Sequence, residues 1–392
     1  MTSSSPSSAP SRTLFAGLAL AALFAVSGCG KSDGSGEYAD AMKAYGSRDL
    51  AKAERLFAKS STLSQTNVDA LVMLAAVRLQ LGEMEAAKDA VASAVALAPN
   101  DVDVIELQAQ VAWHVEDYPR ARSLYLRLAA DRRADVALRS RALAGLGVVD
   151  MALADRDKTA EWLRDRARTE FMQALALDYR NASALYHLAY LYRYSYEAYN
   201  EGALSLYKRF SSFAPVVDER VKKVQKTFIP ELTAAIDASI ASIPGASTRN
   251  ATAAASAIKR AEEAWKAGKY KTAKLRYDEA LKADPLSYEA ACGLAAAWLK
   301  TDTTAAGQRK AYECYRRACR LKPVATDTHI AAAKLASALS RHASAADLYS
   351  RAITSRPRDL TAIDGLILSL RKSGNGKSAD VYQKYRDAVA RK

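Results

Sequence analysis

The sequence predicts an all-α protein, a solenoid of antiparallel helix hairpins with about nine repeats in two arrays. Three observations lead there. Small residues recur at a spacing of 34 positions, each with a bulky residue four places on. Half the residues are apolar, with alanine the commonest, while Gly (17) and Pro (10) are sparse, a composition that favours close-packed helices. Prolines also fall where hairpins should end, at Pro99, Pro285, Pro323 and Pro357. Helical periodicity alone would not fix a period of 34, whereas a repeated crossing point between two helices does.

The stretch 268–285, GKYKTAKLRYDEALKADP, sets the phase. Ala273 sits where two helices cross closely, Tyr277 fills the groove, Ala280 and Leu281 close against the first helix, and Pro285 stops the chain from continuing as helix. This stretch resembles the second helix of a tetratricopeptide repeat (TPR).

In that phase the first repeats cross at Ala53, Ala87 and Ala121, with Phe57, Val91 and Tyr125 in the groove and Ala41, Ala75 and Ala109 on the facing helix. The fourth repeat keeps Phe171 and Ala174 in register and carries an insertion around DRDKTAEWLRDR, with Trp162 expected to pack. The fifth, Asn181 to Pro215, places Ala189 and Ala203 at the crossing and Tyr207 in the groove. Residues 216–243 read as a lone helix on Val221, Val224, Phe228 and Leu232, kinked by Pro230. PGASTRN (244–250) is a boundary.

Four further repeats cross at Ala273, Ala311, Ala345 and Ala379, with Tyr277, Tyr315 and Tyr349 in the groove. The last has Gln383 where an aromatic residue is expected and ends in a polar helix, as a capping unit should.

At the N-terminus, Ser- and Pro-rich residues with Arg12 precede the apolar run Thr13 to Val26. That run is too short to span a bilayer and has the length of a signal-peptide hydrophobic region. The Val26-Ser27-Gly28-Cys29 that follows resembles the lipobox of bacterial lipoproteins, which implies acylation of Cys29 as the mature N-terminus. A plain secretory signal cleaved nearby is the alternative. The resulting organisation is a lipoprotein signal peptide (1–28), a flexible tether (29–36), an N-terminal array (37–215), a spacer helix and linker (216–250) and a C-terminal array (251–392). Gly30, in place of an Asp, favours the outer membrane in a two-membrane host. The expected location is therefore cell membrane or outer membrane, lipid-anchored and exposed to periplasm or cell exterior.

The formal charge of +14 is unevenly placed. Residues 1–215 hold 25 Lys and Arg against 25 Asp and Glu, and residues 216–392 hold 32 against 18. Such asymmetry points to an anionic partner for the basic half, or to a solvated surface whose lysines and arginines serve helix propensity.

No phosphate-binding glycine loop, GxSxG or HExxH occurs, and His114, His187, His329 and His342 fall in four repeats with no shared site. No enzyme activity, catalytic residue, metal or cofactor is expected. Cys292 and Cys319 sit at opposite ends of one hairpin's sequence, so a disulfide or two small buried residues are the alternatives.

Recognition should lie on the first helices, which the TPR resemblance places along a concave groove. The groove candidates are Tyr186, Tyr190, Arg193 and Tyr194 in the fifth repeat, and Trp265, Lys266, Lys300, Lys334, Arg371 and Lys372 in the basic array; upstream, Glu106, Gln110, Trp113 and His114 take the same positions. The resemblance extends to TPR lipoproteins supporting pilus secretion, outer-membrane assembly or exopolysaccharide export. It implies a membrane-anchored scaffold for proteins or peptides of the envelope. An anionic glycan or lipid on the basic array is the alternative, and nucleic acid is not expected. The carboxylate clamp of chaperone adaptors lacks its asparagines here, with Ala296 and Lys334 at two of those sites.

Overall fold

The structure, a computed structural model, describes residues 33–157, 159–195, 199–214 and 218–391. Cys29 and the apolar run before it lie outside the described residues. Every regular element among the described residues is a helix. The chain divides into two compact units, residues 1–153 with 173–183 and residues 154–172 with 184–392.

In the first unit, α1 (Ser35–Gly46) pairs with α2 (Leu50–Leu63), α3 (Val68–Leu81) with α4 (Met84–Leu97), and α5 (Val102–His114) with α6 (Tyr118–Ala130). Side-chain caps set the helix starts. Asp49 accepts from the Lys52 amide and Asn67 from the Ala70 amide, satisfying donors that the first turn leaves open. Six alanines, Ala41, Ala53, Ala75, Ala87, Ala109 and Ala121, have no exposed surface, and Phe57 and Tyr125 are equally enclosed. The helix axes approach closely because nothing larger than a methyl group stands between them. Two longer helices, α7 (Val136–Arg156) and α8 (Trp162–Leu177), contribute residues to both units. Within the first unit, Ser140 donates to the Ala174 carbonyl at 2.9 Å and accepts from Asn181.

The second unit continues with α9 (Ala182–Tyr194) and α10 (Asn200–Phe213). A continuous helical stretch follows, made of α11 (Glu219–Lys223), a π-helical turn (Val224–Phe228) and α12 (Ile229–Ala241). This π turn ends two residues before Pro230, whose missing N–H leaves the Lys226 carbonyl without its usual helical donor. Val221, Val224, Phe228 and Leu232 are buried along it, as their spacing requires. Gly245 takes a left-handed conformation (φ 80°) in the following turn, and Asn250 caps the next helix.

Four hairpins complete the unit: α13 (Ala251–Lys266) with α14 (Tyr270–Ala283), α15 (Tyr288–Thr301) with α16 (Ala305–Leu321), α17 (Thr326–Ala338) with α18 (His342–Ser355), and α19 (Leu360–Lys372) with α20 (Gly376–Ala390). Ala273, Ala311, Ala345 and Ala379 are all fully enclosed at the crossings.

Two hairpins depart from the expected pattern. In the α15–α16 hairpin Tyr315 is only half-buried, and Tyr312 is the enclosed ring. In α20 the expected polar cap is not free on its outer face. Tyr382 and Tyr385 flank Gln383 and are buried, and Tyr382 meets Arg168 of α8.

Arg168 is fully enclosed. Its guanidinium donates to Tyr192 Oη at 3.2 Å, Tyr382 Oη at 2.9 Å, Thr354 Oγ1 at 2.9 Å, and the hydroxyl and carbonyl of Ser350. Asp165, one turn earlier, accepts from Tyr382 and Ser378. A simple solenoid touches only its neighbours. Here α8 is tied to α18 and α20 across sequence separations of 182 to 217 residues.

Candidate interaction surface

Some consecutive first helices touch directly, α3 with α5, α13 with α15 and α17 with α19, so residues at equivalent positions of each pair form short rows. The sequence-derived candidates fall on these rows with very different exposure.

In the first unit the row is closed at the third hairpin. Glu106, Gln110 and Trp113 are buried, not open as the phase implied. Arg141 of α7 reaches Glu106 with two parallel bonds, 2.8 and 2.9 Å, and so uses up the carboxylate. Trp113 packs against Tyr118 at 5.1 Å.

In the fifth repeat the four candidates separate. Tyr186 does not reach the surface: its ring lies under the Arg220 guanidinium (5.1 Å) and against Phe210 (5.3 Å), and burial raises its phenol pKa. The extra helix after α10 supplies Arg220, which is why helix phase alone misplaced the ring. Arg193 is half-buried, stacked 4.5 Å over Phe228 and ion-paired to Glu231 of α12. Tyr190 is half-buried and Tyr194 is 51% exposed, their ring centroids 4.6 Å apart. What remains open is a two-ring ledge with a neutralised guanidinium beside it.

In the basic array Lys266, Lys300, Lys334, Arg371 and Lys372 are all exposed, and Trp265 is half-exposed. Five of the unit's carboxylates are engaged elsewhere: Asp278 with Lys282, Glu279 with Arg276, Asp327 with Arg356, Asp347 with Arg351 and Asp364 with Arg386. None of the five row cations lies within ion-pair distance of a described carboxylate. A feature that sequence reasoning passed over joins them. Lys274 places its ammonium 3.9 Å from the Trp298 ring, Lys300 lies 5.9 Å over Tyr270, and Tyr270 meets Trp265 edge-on at 5.0 Å. The signal available was aromatic residues at the ends of α13 and α15, which helix phase treats as separate hairpins.

The thiols of Cys292, Cys314 and Cys319 are free. Burial raises the Cys314 thiol to about 11 and the Cys319 thiol to about 12, so neither carries a thiolate near neutral pH. Cys292 Sγ lies 4.0 Å from Thr328 Oγ1, which is itself bonded to Tyr288 Oη. Among the described residues no cluster of His, Cys, Asp and Glu is arranged to hold a metal ion, and no helix is long and apolar enough to cross a membrane.

Residues 35–111 match the tetratricopeptide repeat family. The hairpins pack in the tetratricopeptide manner. TPR hairpins serve in general as scaffolds for proteins and peptides, through the surface that stacked repeats create. No curated protein matches the chain.

Among solved structures, PilF of Pseudomonas aeruginosa is 18% identical over 52% of this chain and 88% of its own (TM-score 0.39). MamA is 19% identical over 45% and 97% (TM-score 0.31). The TPR2AB domain of yeast Sti1, solved in complex with pHSP90, is 16% identical over 92% and 100% (TM-score 0.23). Superposition on these chains is poor, so the family match and the hairpin geometry carry the assignment of fold.

Proposed function

We propose that this chain is a lipid-anchored TPR scaffold that binds proteins of a bacterial cell envelope through its first helices. The observation that carries the binding part is the contrast along those helices. Where the row is closed, as at Glu106 and Tyr186, specific side chains of the same chain close it; elsewhere aromatic and cationic residues stay in solvent. The Tyr190–Tyr194 ledge suits a partner with an apolar anchor, because tyrosine buries a large area at low entropic cost and keeps a hydrogen-bonding tip.

The anchor rests on Val26 to Cys29 after the apolar run. Several acyl chains, each worth about 0.8 kcal/mol per buried CH₂, hold a protein on a membrane stably. The expected face is periplasm or cell exterior.

Cys29→Ser tests the anchor. The variant should accumulate as an unprocessed or soluble species, and normal maturation with membrane partitioning would rule the lipoprotein reading out. Tyr190→Ala with Tyr194→Ala tests the surface. Helical content should be kept while co-purification of envelope partners falls; unchanged capture would place recognition elsewhere.

A further inference from the structure

The cations of the last four first helices have no described carboxylate to answer them, and the surroundings of that row narrow what could. It contains Lys266 and Lys300 at one repeat position, Lys334 one turn earlier on α17, and Arg371 with Lys372 closing α19, all in solvent. The first helices also carry Glu262, Glu263, Glu289, Asp327 and Asp364, of which Asp327 is held by Arg356 and Asp364 by Arg386. Neighbouring packed helices lie about 8–10 Å apart, close to the Debye length of about 8 Å at physiological salt. The ammonium groups thus act as separate, weak contacts, suited to a ligand that repeats its charge.

Three ligand classes fit the charge, and the rest of the surface separates them. A peptide backbone offers donors and acceptors at every residue, and α13, α15, α17 and α19 contain no Asn or Gln, whose side chains answer both. The positions between the cations include Ala296, Ala331 and Ala338 instead, whose methyl groups offer no donor. Stacked repeats in general create extended concave binding surfaces, which suit a thin chain better than a flat bilayer. A thin chain of sugar rings meets neither obstacle. The half-exposed rings of Trp265, Tyr270 and Trp298 lie among Lys274 and Lys300, so flat apolar faces alternate with ammonium groups.

We propose that the first-helix row of residues 251–392 binds an acidic polysaccharide, its carboxylates on Lys266, Lys300, Lys334 and Lys372 and its sugar faces on Trp265 and Tyr270. This site is separate from the Tyr190–Tyr194 ledge, so it can fail while protein binding stands.

The test uses the full chain on immobilised polygalacturonate, with neutral dextran, polyglutamate and phosphatidylglycerol-containing phosphatidylcholine vesicles alongside. Retention on polygalacturonate should exceed that on polyglutamate, be absent on dextran and fall steeply as salt rises. Changing the four lysines to Gln should weaken it roughly tenfold or more, and Lys→Arg at the same sites should restore most of it. Trp265→Leu, checked for an unchanged melting curve, should weaken polygalacturonate binding while leaving polyglutamate binding alone. The proposal is overturned if the Gln variant binds as the parent does. It is equally overturned if polyglutamate or vesicles hold the chain as well as polygalacturonate, since charge alone would then explain the row.

Discussion

The groove tyrosines of three hairpins press on glycines in the next first helix. A Cβ added at Gly145 would lie 2.7 Å from the Tyr125 ring, at Gly293 2.4 Å from Tyr277, and at Gly365 2.3 Å from Tyr349. The alanines and tyrosines of this contact were legible in the sequence, because they recur at 34; the glycines were not, because only the ring above them makes a methyl group too large. Gly365→Ala should therefore cost about 1–3 kcal/mol by overpacking. Urea denaturation should show that loss, and Tyr349→Leu in the same background should recover part of it; an unchanged midpoint for the single variant would contradict the packing. A second residue, His329, is buried with Nδ1 3.0 Å from the Ala325 carbonyl. Burial holds its pKa below the ordinary 6.5, with the bond to Ala325 pulling the other way. The unfolded chain then takes up the proton first, so this contribution to stability is full above about pH 6.5 and is lost as pH falls from there through the lower folded-state pKa. His329→Gln should flatten the stability profile below the ordinary histidine range of about pH 6.5, which thermal melts at several pH values would read; parallel profiles for parent and variant would refute it.

At the scale of elements, the turns inside the hairpins use one device with different residues. Gly82, Gly268 and Gly374 have positive φ (82°, 71° and 84°), and Arg48, Glu116 and Ser340 take the same left-handed conformation at corresponding turns (φ 63°, 61° and 58°). A side chain costs about 1–2 kcal/mol there. Glu116→Gly and Ser340→Gly should each raise stability by about 1 kcal/mol, the gain in the turn being reduced by the entropy glycine adds to the unfolded chain. Chemical denaturation would show this, and a loss in both would mean that the side chains make compensating contacts. Hairpin ends were legible from prolines and spacing. What phase could not supply was the cover laid on α9 by a non-repeat element: Arg220, Phe228 and Glu231 belong to the helical stretch after α10, and they decide which of Tyr186, Arg193 and Tyr194 meets solvent.

At the scale of the molecule, the second unit is not a purely local stack. Arg168 follows Ala167, itself fully enclosed, so its place at the edge of a buried face could be read from the phase, but its partners on α18 and α20 could not. No local pattern reports a contact between residues 182 to 217 positions apart. Arg168→Met should leave several hydroxyls without their donor and cost about 3 kcal/mol. Lysine should rescue poorly, lacking the planar fork. Hydrogen exchange should quicken in α18 and α20 more than in α14, and equal protection in parent and variant would show that the arginine holds nothing together. The central claim is that this anchored solenoid recognises envelope proteins through its first helices. A photo-crosslinking amino acid placed one at a time at Tyr190 and Tyr194 on a first helix, and at Leu275 and Glu313 on second helices, tests it in intact envelopes. The account predicts adducts of discrete mass from the first-helix positions alone; equal labelling from Leu275 and Glu313, or no adduct at any first-helix position, would contradict it.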